Sequence, residues 1–95
     1  METYEVAHLR EQGEDIVMVL VAPRFGHLGN RVQNAVRVRL QTASRSAGLA
    51  GTVVPVWDAG GGRMGYMAPP QWRSFFNSLS LYDVAANVNR TLTVY

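Results

Sequence analysis

Residues 16–22 have the sequence IVMVLVA, the longest apolar run in the chain and the stretch that decides the fold. Seven apolar residues are too few to cross a bilayer, and a short run rich in β-branched residues predicts a strand buried on both faces. Residues 4–9 predict another strand, and the turn at residues 11–15, which includes Gly13, predicts an antiparallel hairpin between the two. We therefore expect residues 16–22 to form the central strand of a sheet.

The segment after this strand predicts a helix. Pro23 ends the strand because proline has no N–H to donate to a ladder. The loop at residues 24–29 leads to Asn30, a suitable N-cap, and Gly48 suits the left-handed C-terminal cap of a helix over residues 30–47. Five apolar residues recur at helical spacing and predict one buried stripe. They are Val32, Val36, Leu40, Ala43 and Ala47.

The second half of the chain predicts a further hairpin. Residues 52–57 have strand composition. Pro55 within them predicts an edge strand, a bulge, or a strand whose relevant N–H faces solvent, because proline has no N–H to donate to a ladder. Residues 64–68 predict the partner strand. The glycines at 60–62 predict the flexible tip of a hairpin over residues 57–66.

Short helical segments and a final strand complete the predicted order. Pro70 is placed to begin a helix that extends to about residue 79 and has one apolar face. That face is formed by Trp72, Phe75, Phe76 and Leu79. Ser80 and Asp83 match the S-x-x-D start signal of a further helical turn, and residues 91–95 predict a strand.

Together these elements predict an α+β fold in the order ββ-α-ββ-α-(α)-β, as one domain over residues 1–95. We expect a mainly antiparallel sheet of about five strands, with two or three helices that cover one of its faces. The order of the strands across the sheet is left open.

Composition excludes several classes of function. The chain has no cysteine, which excludes disulfides, thiolate zinc sites and nucleophilic cysteine chemistry, and a cytoplasmic location is expected. The acidic start METYE is not followed by a signal-type apolar segment, so neither secretion nor a membrane partner is expected. The nine basic residues are all arginine. This is typical either of a G+C-rich, bacterial-like genome or of selection for bidentate anion contacts.

The sequence contains none of the common catalytic signatures. It has no phosphate-loop pattern G-x-x-x-x-G-K-[ST], no G-x-S-x-G and no H-E-x-x-H. The two histidines, His8 and His27, have no partner in a metal-ligand register. No cofactor or metal is predicted, and a non-enzymatic function is favoured over an enzymatic one.

The leading hypothesis is a binding or interaction module that self-associates as a homodimer. Seven of the nine aromatic residues lie between Trp57 and Tyr95. Aromatic side chains left partly exposed favour interfaces and ligand pockets. The predicted edge strand at residues 52–57 and the segment 92–95 each offer backbone groups to a second copy.

The second hypothesis is a small-ligand or enzymatic pocket where the 24–27 loop meets the 57–66 hairpin. It requires that the candidate ligand-binding side chains of both segments converge. These are Arg24, His27, Trp57, Asp58, Arg63 and Tyr66. Asp58 also has a structural alternative, in which its carboxylate accepts hydrogen bonds from turn N–H groups.

The third hypothesis is nucleic-acid binding through the arginine-rich helix face of residues 31–45. Residues 16–57 include five arginines and no acid. Four arginines on one helix are a modest density, however, and no recognised nucleic-acid-binding motif accompanies them. Nucleic acid is therefore the least favoured of the three partners.

Overall fold

Five strands form one sheet in the computed structural model, which describes residues 2–95. In chain order the strands are β1 (Glu2–Glu11), β2 (Glu14–Leu20), β3 (Thr52–Gly60), β4 (Arg63–Tyr66) and β5 (Arg90–Val94). Their order across the sheet is β4-β3-β2-β1-β5, so β2 is the central strand, as predicted. The β2–β3 pair is parallel and the other three pairs are antiparallel, which makes the sheet mixed but mostly antiparallel.

Three α-helices complete the fold: α1 (Asn30–Ser46), α2 (Arg73–Asn77) and α3 (Leu81–Ala86). A 3-10 segment (Pro23–His27) precedes α1, and a second 3-10 turn (Pro70–Trp72) leads into α2. The predicted α+β class and element order are confirmed.

The helices lie on both faces of the sheet, so the prediction that they cover one face is wrong. Leu40 of α1 packs in one apolar cluster, whereas Phe76 of α2 and Val84 of α3 belong to another. The connections explain this division. α1 joins the parallel neighbours β2 and β3 across one face. α2 and α3 lie on the path between β4 and β5, which are the strands at the two opposite edges of the sheet.

Side chains of β2 alternate between these two layers. Val17 and Val19 point towards α1, and Ile16 and Met18 point towards α2 and α3. All four are at most 1% exposed. Burial on both faces accounts for the uninterrupted apolar run, because a strand with one solvated face would alternate with polar residues.

α1 buries a narrower and more polar face than its apolar stripe predicts. Leu40 is 1% exposed, but Val32 is 49% exposed, and Ala47 is also exposed. Gly29, and not Asn30, occupies the N-cap, and no side chain caps the helix there. The C-terminal prediction is confirmed, since Gly48 has a φ of +80°.

β3 is an interior strand, so the edge-strand alternative for Pro55 is wrong, but β4 does not extend along the first residues of β3 and Pro55 lies where that cover ends. The Val21 N–H donates to the Val56 carbonyl of β3 at 2.9 Å, so by alternation the backbone of Pro55 faces β4. β4 ends at Tyr66, and the Met67 N–H then donates to the Pro55 carbonyl at 3.1 Å. The proline is tolerated because its missing N–H falls where the β4 ladder ends.

Gln41 of α1 takes the place of a strand beside the first residues of β3. Its side-chain Oε1 accepts from the Val53 N–H at 2.9 Å, and its Nε2 donates to the Gly51 carbonyl at 2.9 Å. β4 is too short to reach these groups. One half-buried side chain therefore satisfies a donor and an acceptor that would otherwise be unpaired.

The glycine-rich hairpin has the predicted turn chemistry. Gly61 and Gly62 have φ values of +61° and +78°, as both central residues of a type I′ turn require. The Asp58 carboxylate accepts from the Gly60 N–H at 2.8 Å, which confirms its predicted structural role. Ser80 and Asp83 form the capping box predicted for α3.

Candidate functional site

The 3-10 segment separates two concave regions near the carboxyl ends of β2 and β3. One, of about 280 Å³, lies between the segment, α1, the start of β1 and the end of β5. The other, of about 340 Å³, lies between the segment and the β3–β4 hairpin. The ends of parallel strands are a common place for ligands in α/β sheets.

The predicted meeting of the 24–27 loop with the 57–66 hairpin occurs through one aromatic contact. The Phe25 and Trp57 ring centroids are 5.0 Å apart with the ring planes at 57°. The indole also lies against Gly26 of the loop and Gly65 of β4, and a Cβ at either glycine would enter its space. Two glycines are therefore needed to seat Trp57 between loop and hairpin.

The hairpin-side cavity contains three of the six predicted site residues, His27, Trp57 and Asp58. Asp58 already accepts the hydrogen bond from Gly60. Gly26 and Gly60 complete much of the remaining lining, so the cavity has few side chains that could orient a ligand. Aromatic stacking on Trp57 is the main interaction that it offers.

The other three predicted site residues lie elsewhere. Arg24 lines the cavity on the α1 side of the 3-10 segment. Arg63 lies on another side of the hairpin, near Leu81 of α3. Tyr66 is held in the protein: its hydroxyl donates to Asn77 Oδ1 at 2.7 Å, and its ring stacks on Phe76 at 5.2 Å.

The α1-side cavity, here named the Arg24 cleft, contains the strongest grouping of charged and hydrogen-bonding side chains. Arg24 and Arg39 supply guanidinium groups, Glu2 a carboxylate and Tyr4 a phenol. Partial burial is the main cause that raises the pKa of Tyr4 above its usual value. The Glu2 carboxylate adds to that shift in pKa through its charge and through a hydrogen bond from the phenol, and the two arginines oppose it. The phenol is therefore a neutral hydrogen-bond donor at neutral pH.

Sequence reasoning found only Arg24 among these four groups. The position of Arg39 next to the apolar stripe of α1 predicts that it lies beside the sheet. This is the only local feature of the sequence that indicates a residue of the cleft besides Arg24. Glu2 and Tyr4 come from β1, and their approach to α1 depends on the pairing of strands that are distant in sequence.

β5 leaves backbone groups without a strand partner. The His8 N–H and carbonyl both bond the Asn89 side chain at 2.9 Å, so even-numbered residues of β1 turn their backbone towards β5. In the observed register the backbone N–H and C=O of Leu92 then point towards β1. The backbone N–H and C=O groups of Thr91 and Thr93 point outwards. Because β5 is the outermost strand, these outward groups have no ladder partner within residues 2–95.

A groove of about 490 Å³ lies beside this edge, between α1 and β5. Its helix side has small side chains, which allow close approach of another backbone. They are Thr42, Ala43, Ser46 and Ala47. Tyr95 lines the groove and is 89% exposed.

Two of the four arginines of α1 are engaged within the protein. The Arg37 guanidinium donates to Asn34 Oδ1 at 2.9 Å. Arg39 donates to the Tyr95 carbonyl at 3.3 Å and lies 4.0 Å from Glu2. The helix therefore presents fewer unengaged cations than its sequence indicates.

Other recognised kinds of site are not found in the described part of the chain. Among residues 2–95, no three His, Cys, Asp or Glu side chains are grouped so that they could hold a metal ion. No helix over the same residues has the length and apolarity needed to span a membrane.

Comparison with known proteins gives no functional lead. No family model, no curated protein and no solved structure matches the chain. The functional interpretation therefore depends on the geometry described above.

Proposed function

We propose that this protein is a non-enzymatic binding module that acts as a homodimer, with β5 of one copy paired to β5 of a second. The observation that supports this is the outward backbone of Thr91 and Thr93 at the edge of the sheet. An unpaired strand edge is a template for addition of another strand. The pairing would extend the sheet of each copy into that of the other.

A symmetric pairing fits the residues that face outwards. In an antiparallel pair with its two-fold axis at Leu92, Thr91 of one copy lies opposite Thr93 of the other. The two threonines then exchange N–H to carbonyl bonds on both sides of the axis. Such an interface is isologous and closes on itself, so it forms dimers and not fibres.

The groove beside the edge also supports the proposal. Its small side chains leave room for a second copy, and the exposed Tyr95 supplies apolar surface next to the new strand pair. Strand pairing with flanking apolar contact is a stronger interface than strand pairing alone. As the compartment of the dimer we propose the cytoplasm, on composition alone, since the chain has no cysteine for an extracellular disulfide.

The dimer is tested by Thr93→Pro. Proline removes the outward N–H but no bond of the β1–β5 ladder, because residue 93 turns its backbone away from β1. Dimerisation should weaken by about 30-fold, since two symmetric hydrogen bonds of about 1 kcal/mol each are lost. Sedimentation equilibrium over roughly 1–100 μM, where typical dimers dissociate, measures the change.

Thr93→Val is the matched control, because it changes the same side chain and keeps the N–H. It should dimerise like the natural protein, and both variants should keep the far-ultraviolet circular dichroism of the folded chain. A natural protein that is monomeric at about 100 μM contradicts the proposal. Equal dimerisation of the proline and valine variants would instead exclude β5 as the interface.

Small-ligand binding between the 24–27 loop and the 57–66 hairpin is the second candidate function. The contact between Phe25 and Trp57, with His27 and Asp58 beside it, is the specific observation in its favour. Nucleic-acid binding has less support, because Arg37 and Arg39 are engaged within the chain.

A further inference from the structure

We infer that the Arg24 cleft binds a small monocarboxylate that has an apolar body. This site lies on the opposite side of the 3-10 segment from the hairpin-side cavity, and it does not depend on the proposed dimer. The inference comes from the charges in the cleft, from its walls and from its size.

Arg24 is the cation available to a ligand. Within residues 2–95 its guanidinium has neither a hydrogen bond nor an ion pair, whereas Arg39 is held by the Tyr95 carbonyl and by Glu2. The planar fork of an arginine matches the two oxygens of a carboxylate. The Tyr4 hydroxyl lines the same cleft, and its hydrogen bond to Glu2 leaves Arg24 as the main donor to a ligand.

The Glu2 carboxylate limits the charge that the cleft accepts. Its ion pair with Arg39, 4.0 Å apart, leaves Arg24 as one net positive charge in the cleft. A singly charged anion neutralises that charge, but a phosphate dianion would bring a second negative charge close to Glu2. Like charges that share a confined site repel each other strongly. A carboxylate is therefore favoured over a phosphate.

The walls of the cleft call for an apolar group next to the carboxylate. Leu28, which is 38% exposed, and the half-buried Val21 and Val36 line the cleft above the buried Phe25 and Leu40. At about 280 Å³ the cleft lies just below the usual range of ligand pockets, roughly 300–1,000 Å³. The ligand is therefore small, of the size of a branched aliphatic or an arylacetic acid.

Phenylacetate is a suitable probe, and phenylacetamide is its neutral match in shape. In a ¹⁵N–¹H titration of the intact protein, phenylacetate should give saturable shifts at the amides of Val21, Phe25 and Val36. A dissociation constant of about 1 mM is expected for so small a ligand, and phenylacetamide should bind at least about tenfold more weakly.

Arg24→Gln should weaken phenylacetate binding by at least about tenfold, because the charged fork is lost. Arg31→Gln is the matched control, since Arg31 is exposed on α1 and does not line the cleft. It should leave the affinity unchanged. The spectrum of each variant also reports whether the chain is folded.

Three results would overturn the inference: no saturable shift with phenylacetate, equal affinity for phenylacetamide, or unchanged affinity in Arg24→Gln. Repeating the titration on Thr93→Pro separates the two proposals. Carboxylate binding that persists in a monomeric chain supports the cleft whatever the fate of the dimer. Binding that requires the dimer would overturn the cleft as a site of the single copy.

Discussion

The β4 side and the β5 side of the sheet differ in how much unpaired strand backbone they leave. At the β4 edge, the strand itself has only four residues. Along the part of β3 that β4 does not cover, Gln41 bonds the backbone and Pro55 has no N–H to leave unpaired. At the β5 edge, Thr91 and Thr93 present their backbone groups to solvent. Local devices therefore protect the uncovered part of β3, whereas the outward groups of β5 have no ladder partner within residues 2–95.

This difference shows what edge protection requires. A short strand, a proline and a side-chain amide each remove a possible pairing site, and proteins use such devices to prevent uncontrolled strand addition. β5 has no proline, and within residues 2–95 no side chain bonds the outward backbone groups of Thr91 and Thr93, while the Asn89 amide bonds His8 of β1 just beyond the end of β5. The contrast is the reason that we assign self-association to β5.

The largest effect in this comparison is expected from Gly65→Ala, a substitution in β4. The new Cβ would enter the space of the Trp57 indole. The indole cannot shift away easily, because Phe25 and Gly26 pack against its other side. We expect a loss of about 3 kcal/mol in the free energy of unfolding, the upper part of the range for overpacking. Urea denaturation measures it.

Gly29→Ala is the control for that substitution. Gly29 has no atom near the added Cβ and an ordinary φ of −66°. Gly29→Ala should lower the free energy of unfolding by less than about 1 kcal/mol, the cost of replacing a glycine N-cap. If Gly65→Ala is no more harmful than this control, the indole is not fixed against β4.

Gln41→Ala has the next largest expected effect. It leaves the Val53 N–H and the Gly51 carbonyl without partners, which should cost about 2 kcal/mol for two lost hydrogen bonds. Urea denaturation and the amide exchange rate of Val53 check the result. Faster exchange confined to this end of β3 is expected.

Gln33→Ala provides the matched comparison on the same helix. Gln33 makes one such bond, from its Nε2 to the Phe25 carbonyl at 2.9 Å, so about 1 kcal/mol should be lost. Equal losses for Gln41 and Gln33 would mean that Gln41 does not substitute for a strand in the way described.

The smallest effect is expected from Gly61→Asn, which sharpens the contrast by stiffening the hairpin that leads to β4. Asn followed by glycine is the preferred pair for a type I′ turn, and fewer unfolded conformations are lost on folding. Stability should rise by about 0.5 kcal/mol, seen as a higher midpoint of thermal unfolding. Gly62→Asn, which gives the reverse order, should not stabilise, and a gain from it as large as that from Gly61→Asn would refute the turn assignment.

The sequence predicts those parts of the fold that local chemistry decides. The apolar run 16–22 identifies the central strand, because only a strand covered on both faces tolerates it. Gly48 and the Ser80–Asp83 pair mark helix ends, because each satisfies backbone groups within one helical turn. These features need no knowledge of distant partners.

The predicted N-cap at Asn30 is a local error, but the other differences concern distant partners. Pro55 leaves open whether its strand is an edge, a bulge or a strand with an unpaired N–H, because the residue type alone does not show where the β4 ladder ends. The apolar stripe of α1 misplaces the buried face, since polar Gln41 and Ser44 turn inwards to bond backbone groups of residues 49–53. Such bonds depend on the packing of α1 against the sheet and are invisible in the helix pattern.

The candidate sites follow the same rule. Contact between the 24–27 loop and the 57–66 hairpin could be proposed from their composition. The Arg24 cleft could not, because Tyr4 and Arg39 reach it from a strand and a helix that are far apart in the chain.

The chain has two tryptophans, and they lie on opposite faces of the sheet. Trp57 packs on Phe25 at the α1 face, half-buried, while Trp72 is 4% exposed within the α2–α3 layer. Each layer therefore contains its own fluorophore, one partly accessible to an aqueous quencher and one shielded from it. With a phenylalanine at position 57, the remaining emission reports the α2–α3 layer alone, so optical spectroscopy can follow the two layers of this domain separately as it unfolds.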